Sequence, residues 1–238
     1  MKQMIRCVTI TGADDSINPK ELFKLSDEFP FVEWGILFSK SAEGKYRYPT
    51  RKWLWELYTE WCRSYIPRLN FSAHICGRWV RDICAGSWTI FEDHTTFDMF
   101  KRIQLNFHAL VHELDEQKFI AGFKDGTIQR QYIFQLDNVN NGILNVALNN
   151  NVDAVPLFDL SGGAGILPEE WPRANGYCGY AGGLSPENLE SQLELIEQVA
   201  DYPMWIDTET RVRSDGDYQF DLGKVRAFLE VAKPWVKS

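Results

Sequence analysis

Eight short runs of strand-forming residues, spaced by segments whose apolar residues recur at helical intervals, constrain the fold of this chain more than any other feature. The runs are 4–12 (MIRCVTITG), 31–38 (FVEWGILF), 70–76 (NFSAHIC), 102–108 (RIQLNFH), 131–137 (QYIFQLD), 154–158 (AVPLF), 177–181 (YCGYA) and 203–209 (PMWIDTE). Helices are predicted over 19–29, 51–65, 79–85, 115–123 and 142–148, as a stunted helix at 168–173, and onward from Ser185 and from Asp221, whose side chains suit N-caps. Leu54, Leu57, Tyr58 and Trp61 recur at helical spacing, which predicts core packing. Alternation of strand and helix predicts a parallel sheet. Eight repeats in 238 residues, close to the roughly 250 of such barrels, predict a closed (β/α)8 TIM barrel with its active groups at the C-terminal ends of the strands. A doubly wound open sheet is the rival, but no GxGxxG opens the first helix.

No composition shift or Pro/Ser-rich linker divides residues 1–238, so they are read as one domain. The formal charge of −8, with no sustained basic stripe, argues against nucleic acid as the main partner. No stretch is long and apolar enough to span a bilayer, and Cys7, Cys62, Cys76, Cys84 and Cys178 are odd in number with no CxxC spacing. A reducing, cytoplasmic setting is the expectation, with no membrane partner and most cysteines acting as small core residues.

Chemistry concentrates between residues 153 and 189. Each of the two apolar runs there ends in glycines, and the second leads to a helix with Ser185 and Pro186 at its start and Leu189, Leu193 and Ile196 on one face. A strand, a glycine turn and a helix N-terminus together make an anion site, because backbone N–H groups approach a ligand with no Cβ in the way. Asp159 precedes Gly162 and Gly163, so a carboxylate and an anion cradle come from neighbouring segments. Tight turns with no ligand are the alternative for the glycines alone.

These residues resemble phosphoribosylanthranilate isomerase, a (β/α)8 barrel that performs an Amadori rearrangement. The resemblance spans most of the chain. It consists of Thr11-Gly12 where the family has Cys-Gly, GILFSKSAEGKYRY at its second strand and loop, IQL at 103–105, FDLSGGAG at 158–165, GGLSPEN at 182–188 where the family has GGLNPEN, and IDTETRV at 206–212. The reaction needs an acid near a ring oxygen and a base near a sugar carbon. The resemblance implies Asp159 as the acid. Thr11 stands in place of the family's cysteine base, and a threonine hydroxyl is no base near neutral pH without a strong partner, so Glu209 or Asp207 is the candidate replacement. Gly182, Gly183 and the helix start after Ser185 match the family's first phosphate loop, Gly162 and Gly163 match its glycines after the sixth strand and are read as ligand-binding with them, and the second phosphate loop departs. Arg211 follows Glu209 where the family has Ser-Ser-Gly, and Arg47 matches a loop arginine that faces a carboxylate.

Further polar groups expected at the rim are His74, Asn106 and Asp137, a set that does not diagnose a metal, and no cofactor is implied. Trp205, Asp207 and Glu209 share a parity and should all face the barrel interior or its mouth. His108 and His112 sit four apart, as a helical metal pair would, but the apolar strand pattern before them favours a coincidental spacing; His94 lies in a polar connection, and Ser161 is not framed as a nucleophile elbow. The reading is a barrel that binds a small phosphorylated, ribosylated or carboxylated metabolite and carries out isomerase-type chemistry. A catalytically inactive metabolite-binding protein is the second reading, and a metal-dependent hydrolase or lyase the third.

Overall fold

The computed structural model describes residues 3–64, 69–93, 95–107, 114–124, 130–137, 140–201 and 203–237. Its strands are β1 (Ile5–Thr11), β2 (Val32–Ser39), β3 (Asn70–Cys76), β4 (Arg102–Leu105), β5 (Gln131–Leu136), β6 (Ala154–Phe158), β7 (Cys178–Ala181) and β8 (Met204–Thr208). All pair in parallel with their sequence neighbours, and β8 returns to β1 through Cys7 opposite Trp205 and Thr9 opposite Asp207, closing the barrel. Around it lie α1 (Lys20–Glu28), α2 (Arg51–Arg63), α3 (Arg78–Cys84), α4 (Ile90–Asp93), α5 (Glu116–Lys124), α6 (Asn141–Asn149), α7 (Leu189–Glu197) and α8 (Leu222–Ala232). The chain is therefore the predicted (β/α)8 barrel. No described helix is long and apolar enough to cross a membrane.

Outward strand residues such as Val8, Ile10, Ala73, Ile103 and Ile206 pack against helix faces that include Leu22, Leu25, Val225, Phe228 and Leu229, all buried. In α2 the buried face is Trp53, Leu54 and Leu57, and Tyr58 and Trp61, stacked on each other at 5.7 Å, pack against the core half-exposed, as their helical spacing predicts. Between β6 and β7 the expected stunted helix is absent, and residues 168–173 run irregularly with a bend at 169–170. Pro168 and Pro172 lack N–H donors, and Trp171 is pinned by Nε1 to Gln192 Oε1 at 3.0 Å and by its edge to Tyr180.

The lumen departs from the branched aliphatic filling usual in such barrels. Glu33 and Arg102 form a buried two-point ion pair, 2.7 Å from Nε and 2.5 Å from Nη2, with Thr9 donating to Glu33 at 2.9 Å and the guanidinium lying over Trp205. Burial pushes Glu33 up, but Arg102 and Thr9 hold its carboxyl below the usual range. Cys7 lies beside Arg102, and burial drives its thiol up to about 12, so it is a neutral filler of the barrel floor. All five cysteines are free thiols. Higher up, a Cβ on Gly35 would fall 2.2 Å from Thr11 Oγ1 and 2.9 Å from the His74 ring, and one on Gly179 would fall 2.2 Å from Trp205. Glycine at these two positions makes room for the polar side chains and the indole.

Candidate active site at the barrel mouth

Strand parity carries Asp207 and Glu209, with Asp159 at the end of β6 and Gly182 and Gly183 after β7, to one cavity at the C-terminal mouth. Gln104, Asn106, Gln135, Gly163, Thr210 and Arg211 share its lining. The cavity offers about 60 Å³ to water-sized groups. A second groove of about 500 Å³ adjoins it, sharing Thr210 and Arg211.

The Asp159 carboxylate is oriented by three donors. Gln135 Nε2 and the Gly163 amide both donate to Oδ2 at 2.7 Å, and Ser161 Oγ donates to Oδ1 at 2.7 Å. Oδ1 faces the second glycine turn, because a Cβ on Gly182 would lie 3.4 Å from it. Gly183, at φ +69°, packs so closely that a Cβ would fall 2.6 Å from the Leu167 amide nitrogen, so the loop after β6 lies directly on the turn after β7.

Asp207 is 7% exposed, and Thr11 Oγ1 donates to its Oδ1 at 2.8 Å. Burial raises the Asp207 carboxyl well above the usual range, against the pull of the Thr11 hydroxyl and with support from the nearby charges of Glu209, Glu33 and Asp159. Burial also raises Glu209, against the opposing pull of Arg47, to which it is ion-paired.

Arg47 belongs to a lattice of ions that ties three loops together at the rim. Besides Glu209, its guanidinium holds Asp217 at 2.5 and 2.9 Å, and its amide donates to Asp14 at 2.7 Å. Arg213, wholly buried, binds the same Asp14 at 2.8 Å and also Asp217 and the Gly12 carbonyl.

Of the residues singled out in the sequence, Asp159, Asp207, Glu209, Gly163, Gly182, Gly183 and Arg211 line one cavity. Thr11 reaches it through Asp207, Gly162 sits in the turn that closes on Asp159 through its amide at 2.9 Å, and Arg47 approaches through Glu209. Ser185 does not cap the helix as expected. Asn188 is the residue before α7, its Oδ1 takes the Ser185 amide at 2.8 Å and its Nδ2 donates to the Gly183 carbonyl at 2.9 Å, so one turn separates the glycines from the helix proper.

Two expected rim groups lie elsewhere. His74 is buried in the lumen beside Ser72, at 3.0 Å, and burial lowers it to about 3, leaving it neutral. Asp137 exchanges side-chain and backbone hydrogen bonds with Asn140, both at 3.0 Å, and braces the loop after β5. His94, His108 and His112 lie outside the described residues, and no cluster suited to a metal ion occurs among the described ones. Gln104, Gln135 and Asn188 went unrecognised in the sequence. Inward parity with Arg102 and Ile133 was the available signal for the two glutamines.

No protein-family model and no curated protein matches the sequence. Solved structures do. Phosphoribosyl anthranilate isomerase from Thermotoga maritima has 17% identity and a TM-score of 0.59 over 97% of this chain and 100% of that one. TrpF from Jonesia denitrificans gives 13% and 0.59 over 96% and 97%. A phosphoribosyl anthranilate isomerase complexed with reduced 1-(o-carboxyphenylamino)-1-deoxyribulose 5-phosphate gives 17% and 0.57 over 97% and 100%. At these identities the likeness is one of architecture, and the chain is a (β/α)8 barrel with the fold of phosphoribosylanthranilate isomerase.

Proposed function

We propose that this barrel binds a small phosphorylated, ribose-type metabolite at its C-terminal mouth and isomerises it by proton transfers to it from one carboxyl group and from it to another. The observation that carries this reading is the convergence of Asp159, Asp207 and the Gly182–Gly183 turn on one cavity. A phosphate would take backbone amides of the glycine turn, with Arg211 as the cation nearby. The ligand would span this cavity and extend past Arg211 into the adjoining groove.

Asp159 is the acid. Both donors to Oδ2 are fixed N–H groups, so a proton can reside only on Oδ1, where the Ser161 hydroxyl can turn from donor to acceptor. That proton would go to the substrate's ring oxygen. Asp207 is the base. Its raised affinity for a proton makes it a stronger base than an ordinary carboxylate, and Thr11 holds Oδ1 so that Oδ2 remains to take a proton from carbon. One proton leaves carbon for Asp207 and one leaves Asp159 for oxygen, so the isomerisation is proton-neutral. Glu209 is the weaker candidate because Arg47 already neutralises it.

The Arg47–Glu209 pair and the loss of the family's cysteine at Thr11 favour the second reading, a non-catalytic metabolite-binding protein. Complementation of a strain lacking phosphoribosylanthranilate isomerase separates the two. Rescue by the wild type, with an Asp159→Asn variant slower by about 10²-fold or more, supports the enzyme. Asp159→Asn rescuing as well as wild type removes the mechanism. A reducing, cytoplasmic setting agrees with five free thiols.

A further inference from the structure

Gln135 lies on β5, 5% exposed, and lines the cavity together with Asp159, to which its amide is hydrogen-bonded. Its orientation is chemically determined. Asp159 Oδ2 already receives the Gly163 amide and can only accept, so the NH2 end of Gln135 must face it, at 2.7 Å. The opposite end, Oε1, is therefore an acceptor. It is buried and has no hydrogen-bond partner among the described residues. A buried carbonyl oxygen left unpaired costs free energy, and groups of this kind are nearly always satisfied by something. The neighbouring amides point their observed hydrogen bonds elsewhere, Gln104 Nε2 to Asn106 Oδ1 at 3.0 Å and Asn106 Nδ2 to Cys76 Sγ at 3.1 Å, and neither bonds Gln135 Oε1.

We propose that Gln135 determines specificity by accepting a hydrogen bond at Oε1 from a hydroxyl group of the bound metabolite, while its Nε2 holds Asp159 toward the same molecule. The inference rests on the phosphate-binding reading above and adds to it a residue that no resemblance singles out. A hydroxyl fits the site better than an apolar group. Oε1 can only accept, and a hydroxyl that donates to it leaves its oxygen free to accept from an amide of the lining. A ligand lacking that hydroxyl leaves Oε1 unpaired, which is how a polar pocket rejects a deoxygenated analogue.

The test is a calorimetric titration of the whole chain with three probes: ribose 5-phosphate, n-butyl phosphate and inorganic phosphate. It is paired with ¹⁵N NMR of the Gln135 side-chain amide. Wild type should bind ribose 5-phosphate at least about fivefold more tightly than butyl phosphate, the worth of one net hydrogen bond. Ribose 5-phosphate should shift the Gln135 NH2 resonance, and the two other probes should leave it in place. Gln135→Met should lower the affinity ratio of ribose 5-phosphate to butyl phosphate by about fivefold, the share of that one hydrogen bond. Equal affinities in wild type, a silent Gln135 resonance, or a ratio that survives in Gln135→Met would overturn the assignment and leave the phosphate cradle standing. Failure of all three probes to bind would overturn the cradle and this inference with it. The NMR readout on wild type decides the matter if Gln135→Met does not fold.

Discussion

Gly35→Ala is the sharpest single perturbation of the polar lumen. The new Cβ would sit 2.2 Å from Thr11 Oγ1 and 2.9 Å from His74, well inside ordinary contact distance. Neither neighbour is free to retreat. Thr11 is 1% exposed and hydrogen-bonded to Asp207, and His74, also 1% exposed, is bonded to Ser72. Relief requires a shift of about 1 Å in a close-packed barrel, an overpacking cost of about 1–3 kcal/mol. Displacing Thr11 from buried Asp207 adds about 1–3 kcal/mol more. A total near 4 kcal/mol corresponds to a fall in melting temperature of roughly 8–16 °C for a chain of this size. Thermal unfolding followed by circular dichroism measures it. Thr11→Ala removes the closer of the two collisions, so in that background the cost of Gly35→Ala should drop by half or more, a coupling that a double-mutant cycle reads directly. Loss of less than about 1 kcal/mol in the single variant, or an undiminished cost beside Thr11→Ala, would refute the packing described for the lumen.

The buried pair on the barrel floor gives a second expectation. Arg102→Met should destabilise by about 3–5 kcal/mol, because it leaves Glu33 charged, buried and unpaired. In wild type the depressed Glu33 carboxyl contributes stability that is complete above its ordinary value of 4.5 and is lost as pH falls through the folded-state value. In Arg102→Met that dependence should reverse, and denaturant titrations across pH check it. Asp207 behaves in the opposite sense. Its raised carboxyl costs stability as pH rises above 3.8 toward the folded-state value. Asp207→Asn should therefore stabilise the chain at pH 7 by about 0.5–2 kcal/mol, with the gain vanishing below about pH 3.8 where both states are protonated, while isomerase activity is lost. A destabilised Asp207→Asn at pH 7 would count against the raised carboxyl.

The architecture was legible because alternation and strand parity are periodic. The period of two in PMWIDTE brings Asp207 and Glu209 to the cavity, and the glycines after β6 and β7 meet as their sequence positions imply. Depth along the barrel axis has no such signature. His74 shares the inward parity of β3, yet it stops in the lumen, because Gly35 opens a hollow there that only the register of neighbouring strands reveals. Ser185 was misread for a related reason. The Asn188 side chain folds back to take the Ser185 amide and brace Gly183, a local contact that competes with the cap a serine would make. Gln135 sits in a run whose other residues suit a core strand, so its role depends on Asp159, 24 positions away.

The central claim is that the glycine turn after β7 and the carboxyl after β6 face one bound phosphorylated molecule. A crystal soaked with ribose 5-phosphate tests it most directly. The account predicts phosphate density against the Gly182 and Gly183 amides with the sugar within hydrogen-bonding reach of Asp159 Oδ1. Ligand density elsewhere on the barrel, with this mouth filled by water alone, would contradict it.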